Sequence, residues 1–204
     1  MQDTKTTWIG NPAAGNVPSG GIVYWITGLS GAGKTTLAAA LTQKLQLGKN
    51  KVVHFDGDQL RAIFRMTDVH DPAARLDLAF RYARLCQTVA VQGVDVVCST
   101  ISLFPEIHQW NRENNPRYAE IYLKVSMDVL KARDDKFIYA RAMTGEISNV
   151  VGIDIPLVEP AAPDLIIEND GRYRPEQAAE LILRHFTAEQ ARDNPRSARL
   201  SGAR

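Results

Sequence analysis

The stretch Gly28-Leu29-Ser30-Gly31-Ala32-Gly33-Lys34-Thr35 decides the fold of this chain, because it matches the phosphate-binding pattern G-x-x-x-x-G-K-[ST] at every fixed position. An apolar run at residues 22–26 precedes the motif and predicts a buried strand. Helix-forming residues 37–45 follow it. Strand, glycine-rich turn and helix are the context that this motif requires.

The glycines of this loop permit a tight turn that brings backbone N–H groups and a helix N-terminus close to a phosphate group. We predict that ATP binds here, with Lys34 reaching the β- and γ-phosphates and taking part in catalysis, and with the Thr35 hydroxyl binding Mg²⁺. The residues expected to bind ATP are Gly28, Leu29, Ser30, Gly31, Ala32, Gly33, Lys34, Thr35 and Thr36. The alternative is a turn without a ligand, which the flanking elements disfavour.

The composition predicts one domain with a sizeable core, because the chain has 204 residues and 45% of them are hydrophobic. The net charge of +1 gives no general reason to expect nucleic acid or an anionic membrane as a partner. Cys86 and Cys98 form no C-x-x-C pair and are expected to be buried thiols. No apolar run is as long as a membrane span, and residues 1–21 lack the apolar core of a signal peptide, so a cytoplasmic location is expected.

Predicted strands and helices alternate along the chain, which indicates an α/β fold with a parallel sheet of about five strands and helices on both faces. The predicted strands are residues 22–27, 52–55, 94–98, 118–125 and 165–167. The predicted helices are residues 33–47, 72–92, 105–115, 127–133 and 175–186.

The rest of the chain divides around these elements. Residues 134–159 show no clear apolar period and are predicted to form a lid or binding loop. We therefore predict a P-loop NTPase or kinase domain over residues 22–186. A flexible arm is expected over residues 1–21 and a disordered tail over residues 187–204.

Two carboxylates follow the second predicted strand. In parallel sheets ligands bind at the carboxyl ends of the strands, so Asp56 and Asp58 should share one rim with the P-loop and with residues 99–102. There they would hold the Mg²⁺ shell or accept the proton of an attacking hydroxyl, and we predict both as catalytic residues. Asp-Gly-Asp is also a common turn sequence, but its position after a buried strand favours a functional role for the two carboxylates.

Cations are dense downstream of these carboxylates. A planar guanidinium suits phosphate or sulfate because it bonds two oxygens at once, although a solvated helix face is the alternative for each arginine. Arg61 and Arg75 are the better candidates among Arg61, Arg65, Arg75, Arg81 and Arg84. Cations that flank a lid can neutralise charge during phosphoryl transfer, which makes candidates of Arg133, Lys136 and Arg141.

Two further features have no assigned role from the residues alone. In the segment Trp110–Asn114, Trp110 is a candidate for the core, and Arg112 would bind an anion or pair with Glu113. The four histidines lack metal-ligand spacing, so no metal is expected besides the Mg²⁺ that accompanies the nucleotide.

With these residues placed, the chain resembles adenosine 5′-phosphosulfate (APS) kinases from about Val23 to Leu165. The matching words are Ile26 to Thr35, Asp56 to Arg61, Ile101-Ser102, Arg133-Asp134 with Lys136 and Tyr139, Gly145-Glu146-Ile147, and Gly152-Ile153-Asp154 with Pro156. The resemblance implies transfer of the ATP γ-phosphate to the 3′-hydroxyl of a nucleotide ribose, with Asp58 and Asp56 activating or positioning that hydroxyl.

The expected contacts to the two substrates follow from the residues and from this resemblance. The acceptor nucleotide is expected to contact Asp58, Arg61, Arg75, Arg81, Ile101, Ser102 and Lys136. ATP is expected to contact Arg133 and Arg141 besides the P-loop. A homodimer is expected, with a small nucleotide and no nucleic acid or membrane as its partner.

The chain departs from the family at the positions that hold the acceptor base. Residues 78–81 read Leu-Ala-Phe-Arg where the family has Asn-Ile-Arg-Arg, and His70 and Val150 replace two clamping phenylalanines. The usual Pro-Lys-Gly of the lid is Asp-Lys-Phe at residues 135–137. The residues expected to bind ATP match the family, whereas those expected to hold the acceptor base differ from it. The identity of the acceptor nucleotide therefore stays undecided.

APS is the first expected acceptor, because it is the commonest in the family. The chain also resembles the family's cytidine diphosphoramidate kinases of bacterial capsule synthesis, at residues 84–86, 98–102 and 110–114. Two readings from other classes stay open: a nucleotide-binding regulator without catalysis, and a nucleoside monophosphate kinase that would make a diphosphate.

Overall fold

The computed structural model describes residues 20–66 and 71–193. Apart from residues 20 and 21, the expected N-terminal arm lies outside the described residues, as do His70 and residues 194–204 of the expected tail.

The core is one sheet of five parallel strands in the order β2-β3-β1-β4-β5. The strands are β1 (Ile22–Thr27), β2 (Val52–Asp56), β3 (Asp95–Ser99), β4 (Arg117–Lys124) and β5 (Leu165–Glu168). The helices are α1 (Lys34–Leu47), α2 (Gly57–Ile63), α3 (Pro72–Ala90), α4 (Pro105–Asn114), α5 (Met127–Ala132), α6 (Ile138–Met143) and α7 (Pro175–Asp193). The predicted α/β fold with a five-stranded parallel sheet is confirmed.

Helices cover both faces of the sheet, and the alternation of β1 side chains shows why its sequence is apolar throughout. Tyr24 and Ile26 pack into the core beneath α1 and α7, whereas Val23 and Trp25 pack beneath α3 and α4. A parallel strand buried on both faces needs a continuous apolar run rather than an alternating one. All six residues of β1 are accordingly buried.

Three helices extend beyond the predicted pattern. The seven-residue helix α2 directly follows β2 and was not among the predicted helices. The lid segment contains the six-residue helix α6, whose first N–H groups are capped by Asp134, which accepts from Ile138 N and Ala140 N. Six residues are too few to show an apolar period, so the pattern of apolar residues does not predict this helix. Helix α7 also runs to Asp193 rather than ending at Phe186, so the first part of the expected tail is helical.

Two expectations about composition can be compared with the described residues. Cys86 and Cys98 are buried and free, as predicted. Among residues 20–66 and 71–193, no helix is both long enough and apolar enough to cross a membrane.

Candidate active site

The P-loop connects β1 to α1, and two of its positions require glycine because of their backbone conformation. Gly28 has φ 151°, and a Cβ at this position would lie 2.5 Å from the carbonyl oxygen of Leu123. Gly33 has φ 91°, and its Cβ would lie 2.8 Å from Asn169 Nδ2. A side chain at Gly28 would push the loop away from β4, and at Gly33 the left-handed φ itself disfavours any other residue.

Lys34 begins α1, and its ammonium group lies against the loop. Its Nζ donates to the carbonyl oxygen of Leu29 at 2.7 Å. The side chain is partly covered and its charged end is enclosed, so burial lowers the pKa of Lys34 from 10.5 to about 8, against the opposing effect of Asp58 and Asp56. A cation held against a glycine-rich loop in this way can bind a phosphate group that the loop also contacts.

Asp56 ends β2 and is tied to the P-loop. Its Oδ2 accepts from Thr35 Oγ1 at 2.7 Å and from Ser99 Oγ at 3.0 Å, and its Oδ1 accepts from Asp58 N at 3.0 Å. Burial alone would raise the pKa of Asp56, but these hydrogen bonds hold the pKa below its ordinary value. The carboxylate is therefore ionised at neutral pH.

The oxygen atoms of Thr35 and Asp56 fit Mg²⁺, which prefers hard oxygen ligands. Because Thr35 gives its hydroxyl hydrogen to Asp56 Oδ2, the lone pairs of Thr35 Oγ1 remain available for a cation. An ionised carboxylate next to them supplies the negative charge that such a cation needs.

Asp58 is the first-turn carboxylate of α2 and faces the lid. Lys136 Nζ lies 3.2 Å from Asp58 Oδ2, and both side chains are largely exposed. An exposed pair of this kind is weak, so the contact can open at little cost when a substrate enters.

Two adjoining cavities place these groups in one cleft. The P-loop cavity, of about 260 Å³, is lined by Lys34 and Asp58 among others. The Arg75 cavity, also of about 260 Å³, shares Arg61 and Ile101 with it. The cleft therefore passes from the phosphate-binding loop, past the exposed carboxylate, to a second chamber with apolar walls.

A third cavity adjoins the P-loop cavity on its other side. This Asn169 cavity, of about 250 Å³, shares Gly33 and Thr36 with the P-loop cavity and is also lined by Arg133 and Tyr173. Arg133 Nη1 donates to the Asn169 carbonyl oxygen at 2.9 Å. The P-loop thus lies between two chambers, each large enough for part of a small molecule.

Most of the predicted site residues lie on these three cavities. The P-loop cavity is lined by Ser30, Gly31, Gly33, Lys34, Thr35, Thr36, Asp56, Asp58, Arg61, Ile101 and Lys136. The Arg75 cavity adds Arg75 and Ser102, and the Asn169 cavity adds Arg133. Leu29 and Ala32 are buried within the loop.

Two predicted residues lie elsewhere. Arg81 pairs with Asp77 at 2.9 Å on the exposed side of α3 and lines none of these cavities. Arg75, Leu78 and Tyr82 share the face of α3 that lines the Arg75 cavity, and Arg81 is turned away from that face by the helical period. Arg141 pairs with Glu146 at 2.7 Å within the lid and also lies off the cavities.

The segment at residues 110–114 has a structural role. Arg112 donates to Glu120 Oε2 at 3.1 Å and to Asp164 Oδ1 at 2.9 Å, so the suggested pair with Glu113 is wrong. Glu113 instead accepts from Gln109. Arg112 thereby connects α4 to β4 and to the segment before β5.

Asn169 and Tyr82 contribute to the site beyond the prediction, and Ser99, which was expected on the same rim, makes a contact that was not predicted. Ser99 donates to Asp56, and Tyr82 donates to the Gly57 carbonyl oxygen at 3.2 Å. Asn169 donates from Nδ2 to the Ala32 carbonyl oxygen at 2.9 Å. Asn169 comes directly after β5, so the rule that ligands bind at the carboxyl ends of strands could have identified it.

A sequence profile described as adenylylsulphate kinase matches residues 20–168. The chain belongs to the adenylylsulphate kinase family. It is 41% identical to a cytidine diphosphoramidate kinase of Campylobacter jejuni over 79% of this chain and 94% of that protein. It is 36% identical to an adenylyl-sulfate kinase of Paraburkholderia xenovorans over 81% of this chain and 93% of that protein.

A solved structure of the same family has a similar fold. An APS kinase of Mycobacterium tuberculosis, determined in complex with AMPPNP and APS, superposes with a TM-score of 0.77 at 28% identity. The match covers 83% of this chain and 99% of that one. The predicted enzyme class is confirmed: the chain is a phosphotransferase of the kinase type.

Proposed function

We propose that this kinase transfers the γ-phosphate of ATP to the ribose 3′-hydroxyl of a nucleotide. The observation that carries the proposal is the continuous cleft, which places Asp58 and Arg61 between the P-loop and a second, apolar chamber. A donor phosphate on the loop and a hydroxyl entering from the Arg75 cavity would meet beside Asp58.

The donor nucleotide would lie across the P-loop and the Asn169 cavity. Backbone N–H groups of the loop and Lys34 bind the phosphates, and the purine enters the cavity lined by Arg133 and Tyr173. The relative from Mycobacterium tuberculosis supports this proposal, because it was determined with AMPPNP.

Mg²⁺ would be held by Thr35 Oγ1 together with the carboxylate of Asp56. Bound there, it would supply positive charge to the β- and γ-phosphate oxygens. Two hydrogen bonds, from the Ser99 hydroxyl and the Asp58 N–H, orient the Asp56 carboxylate.

Asp58 is proposed to accept the proton of the attacking hydroxyl or to fix its direction. Lys34 and Lys136 line the same cavity and would offset the negative charge that spreads over the transferred group. Arg61 and Arg75 lie further along the cleft, where they would bind the anionic 5′ tail of the acceptor.

Between the two acceptors, we place cytidine diphosphoramidate first and APS second, which reverses the order expected from the sequence. Identity is higher to the cytidine diphosphoramidate kinase, at 41%, than to the adenylyl-sulfate kinase of Paraburkholderia xenovorans, at 36%. Leu78 stands where the family carries asparagine, and it lines the Arg75 cavity. An alkyl group there cannot make the hydrogen bond of an amide, which supports a changed acceptor.

The deciding experiment offers each acceptor separately with ATP and Mg²⁺ and compares kcat/KM, with the product identified by phosphorus NMR. A 3′-phosphate monoester and a higher kcat/KM for the cytidine compound are expected. A higher value for APS would restore the original order. With AMP or CMP offered in addition, a 5′-diphosphate product would indicate a nucleoside monophosphate kinase, and ATP binding without transfer to any nucleotide would favour a regulator.

We also propose that the protein acts in the cytoplasm, where its donor ATP is available, and that it forms a homodimer. Light scattering of the purified chain tests the second point, because a monomeric mass at working concentration would overturn it.

A further inference from the structure

A chain of hydrogen bonds runs from the edge strand β2 into the P-loop. His54 Nε2 lies 3.2 Å from Ser99 Oγ, Ser99 Oγ donates to Asp56 Oδ2 at 3.0 Å, and Thr35 Oγ1 donates to the same oxygen at 2.7 Å. The register of the sheet explains the arrangement, since Asp56 lies opposite Ser99. His54 is two residues before Asp56 and therefore on the same face of β2.

The donors in this chain can be assigned by counting hydrogens. An ionised Asp56 only accepts, and the single hydroxyl hydrogen of Ser99 is given to Asp56 Oδ2. His54 Nε2 must then be the donor to Ser99 Oγ, which fixes the tautomer with the hydrogen on Nε2. Each donor in the series points toward the carboxylate.

We propose that His54 is a positioning residue for the phosphate and Mg²⁺ site, acting through Ser99 on the Asp56 carboxylate. The inference rests on the proposed function. His54 is half-buried and lines none of the three cavities, so it is not placed to touch either substrate. Its hydrogen bond limits rotation of the Ser99 hydroxyl, and the hydroxyl in turn fixes the oxygen that accepts from Thr35.

The consequence is a specific loss when the Nε2 donor is removed. In His54→Leu, the Ser99 hydroxyl can rotate away from Asp56, and the two oxygens that would hold Mg²⁺ lose their fixed arrangement. Loss of a group bonded directly to a metal ligand typically weakens metal affinity by about 10- to 100-fold, and His54 acts through such a group, so its loss should lie at the lower end of that range. Binding of ATP without metal depends on the loop and Lys34, so it should stay unchanged.

The test measures ATP affinity by calorimetry, once with excess EDTA and once across a Mg²⁺ titration, for the parent chain, His54→Leu and His54→Gln. The Gln amide nitrogen occupies about the place of Nε2 and donates, so it should recover most of the Mg²⁺ dependence. His54→Leu should need about tenfold more Mg²⁺ for the same ATP affinity.

Two further variants separate positioning from loosening of the strand. Val53→Ala trims a side chain that packs in the α3 core from the same strand, and it should leave the Mg²⁺ requirement unchanged. Ser99→Ala should raise the Mg²⁺ requirement. Adding His54→Leu to Ser99→Ala should have no further effect, because the hydrogen-bond chain from His54 to Asp56 is already interrupted at Ser99.

Three outcomes would overturn the inference: an unchanged Mg²⁺ requirement in His54→Leu, no recovery in a folded His54→Gln, or additive effects of His54→Leu and Ser99→Ala. Failure of the proposed function is distinguishable, because the parent chain itself would then not transfer phosphate to either acceptor.

Discussion

The lid of this kinase touches the proposed base directly: Lys136 Nζ lies 3.2 Å from Asp58 Oδ2, although 78 residues separate them in the sequence. The contact brings the helix after β2 and the segment before α6 to one side of the P-loop cavity. A lid cation and a carboxylate that meet at this point are both placed to act on a group transferred across the cavity.

Asp58→Asn should retain ATP affinity and lose most of its turnover, because the amide keeps the shape of the side chain and cannot accept the proton. Isothermal titration gives the affinity, and a coupled assay for ADP gives the turnover. Asp77→Asn is the matched control, since Asp77 is an exposed carboxylate that pairs with Arg81 on α3 and lines none of the three cavities. Turnover of Asp58→Asn equal to that of the parent would remove Asp58 from catalysis.

Lys34→Ala should lower kcat by a factor of about 10³, on the scale of other groups that stabilise transition-state charge. The lysine lines the P-loop cavity and donates to the Leu29 carbonyl oxygen. Single-turnover kinetics at saturating ATP measure the chemical step apart from binding. A drop in ATP affinity with kcat intact would limit Lys34 to ground-state binding.

ATP affinity should also depend on pH through Lys34. Burial lowers the pKa of this group from 10.5 to about 8, so it is charged below pH 8 and loses its proton as pH rises above that value. Since phosphate favours the charged form, metal-free ATP binding should weaken above pH 8 and take up a proton there. Lys34→Arg stays charged and should show no such decline, so a parallel decline in both proteins would point to another group.

The fold and the positions of the P-loop, Asp56 and Asp58 could be predicted from the sequence, because both depend on local patterns. An apolar run followed by a glycine-rich turn specifies β1 and the P-loop, and Asp56 and Asp58 lie at a strand end that the parallel topology brings next to it. Arg81 shows the limit: its position on α3 relative to the cavity depends on the rotation of the helix, which charge density cannot indicate.

Arg112 shows the same limit for structural residues. It lies beside Glu113 in sequence, but its partners are the buried Glu120 on β4 and Asp164 before β5. Only the packing of α4 against the sheet brings these groups together. A pairing across elements cannot be derived from spacing along one helix.

Glu120→Ala should therefore destabilise the fold by about 2 kcal/mol, because it removes a buried carboxylate that Arg112 and His108 contact, although the partly exposed Arg112 keeps its pair with Asp164. Urea unfolding followed by circular dichroism measures the change. Asp77→Ala removes an exposed carboxylate from a comparable arginine and should cost less than about 1 kcal/mol. Similar losses in the two variants would contradict a structural role for the Arg112 pair.

Arg75→Ala and Arg81→Ala form the sharpest pair of variants for the acceptor site, because both arginines lie on α3 and only Arg75 lines the cleft. A charge-assisted hydrogen bond is worth about 1.5–3 kcal/mol, so loss of Arg75 should raise the acceptor KM by about tenfold or more with the ATP KM unchanged. Arg81→Ala should leave both constants near the parent values. Initial rates with the acceptor varied at saturating ATP measure the effect. Equal increases in the acceptor KM would mean that the anionic tail lies over the exposed side of α3, and the proposed orientation of the acceptor would be wrong.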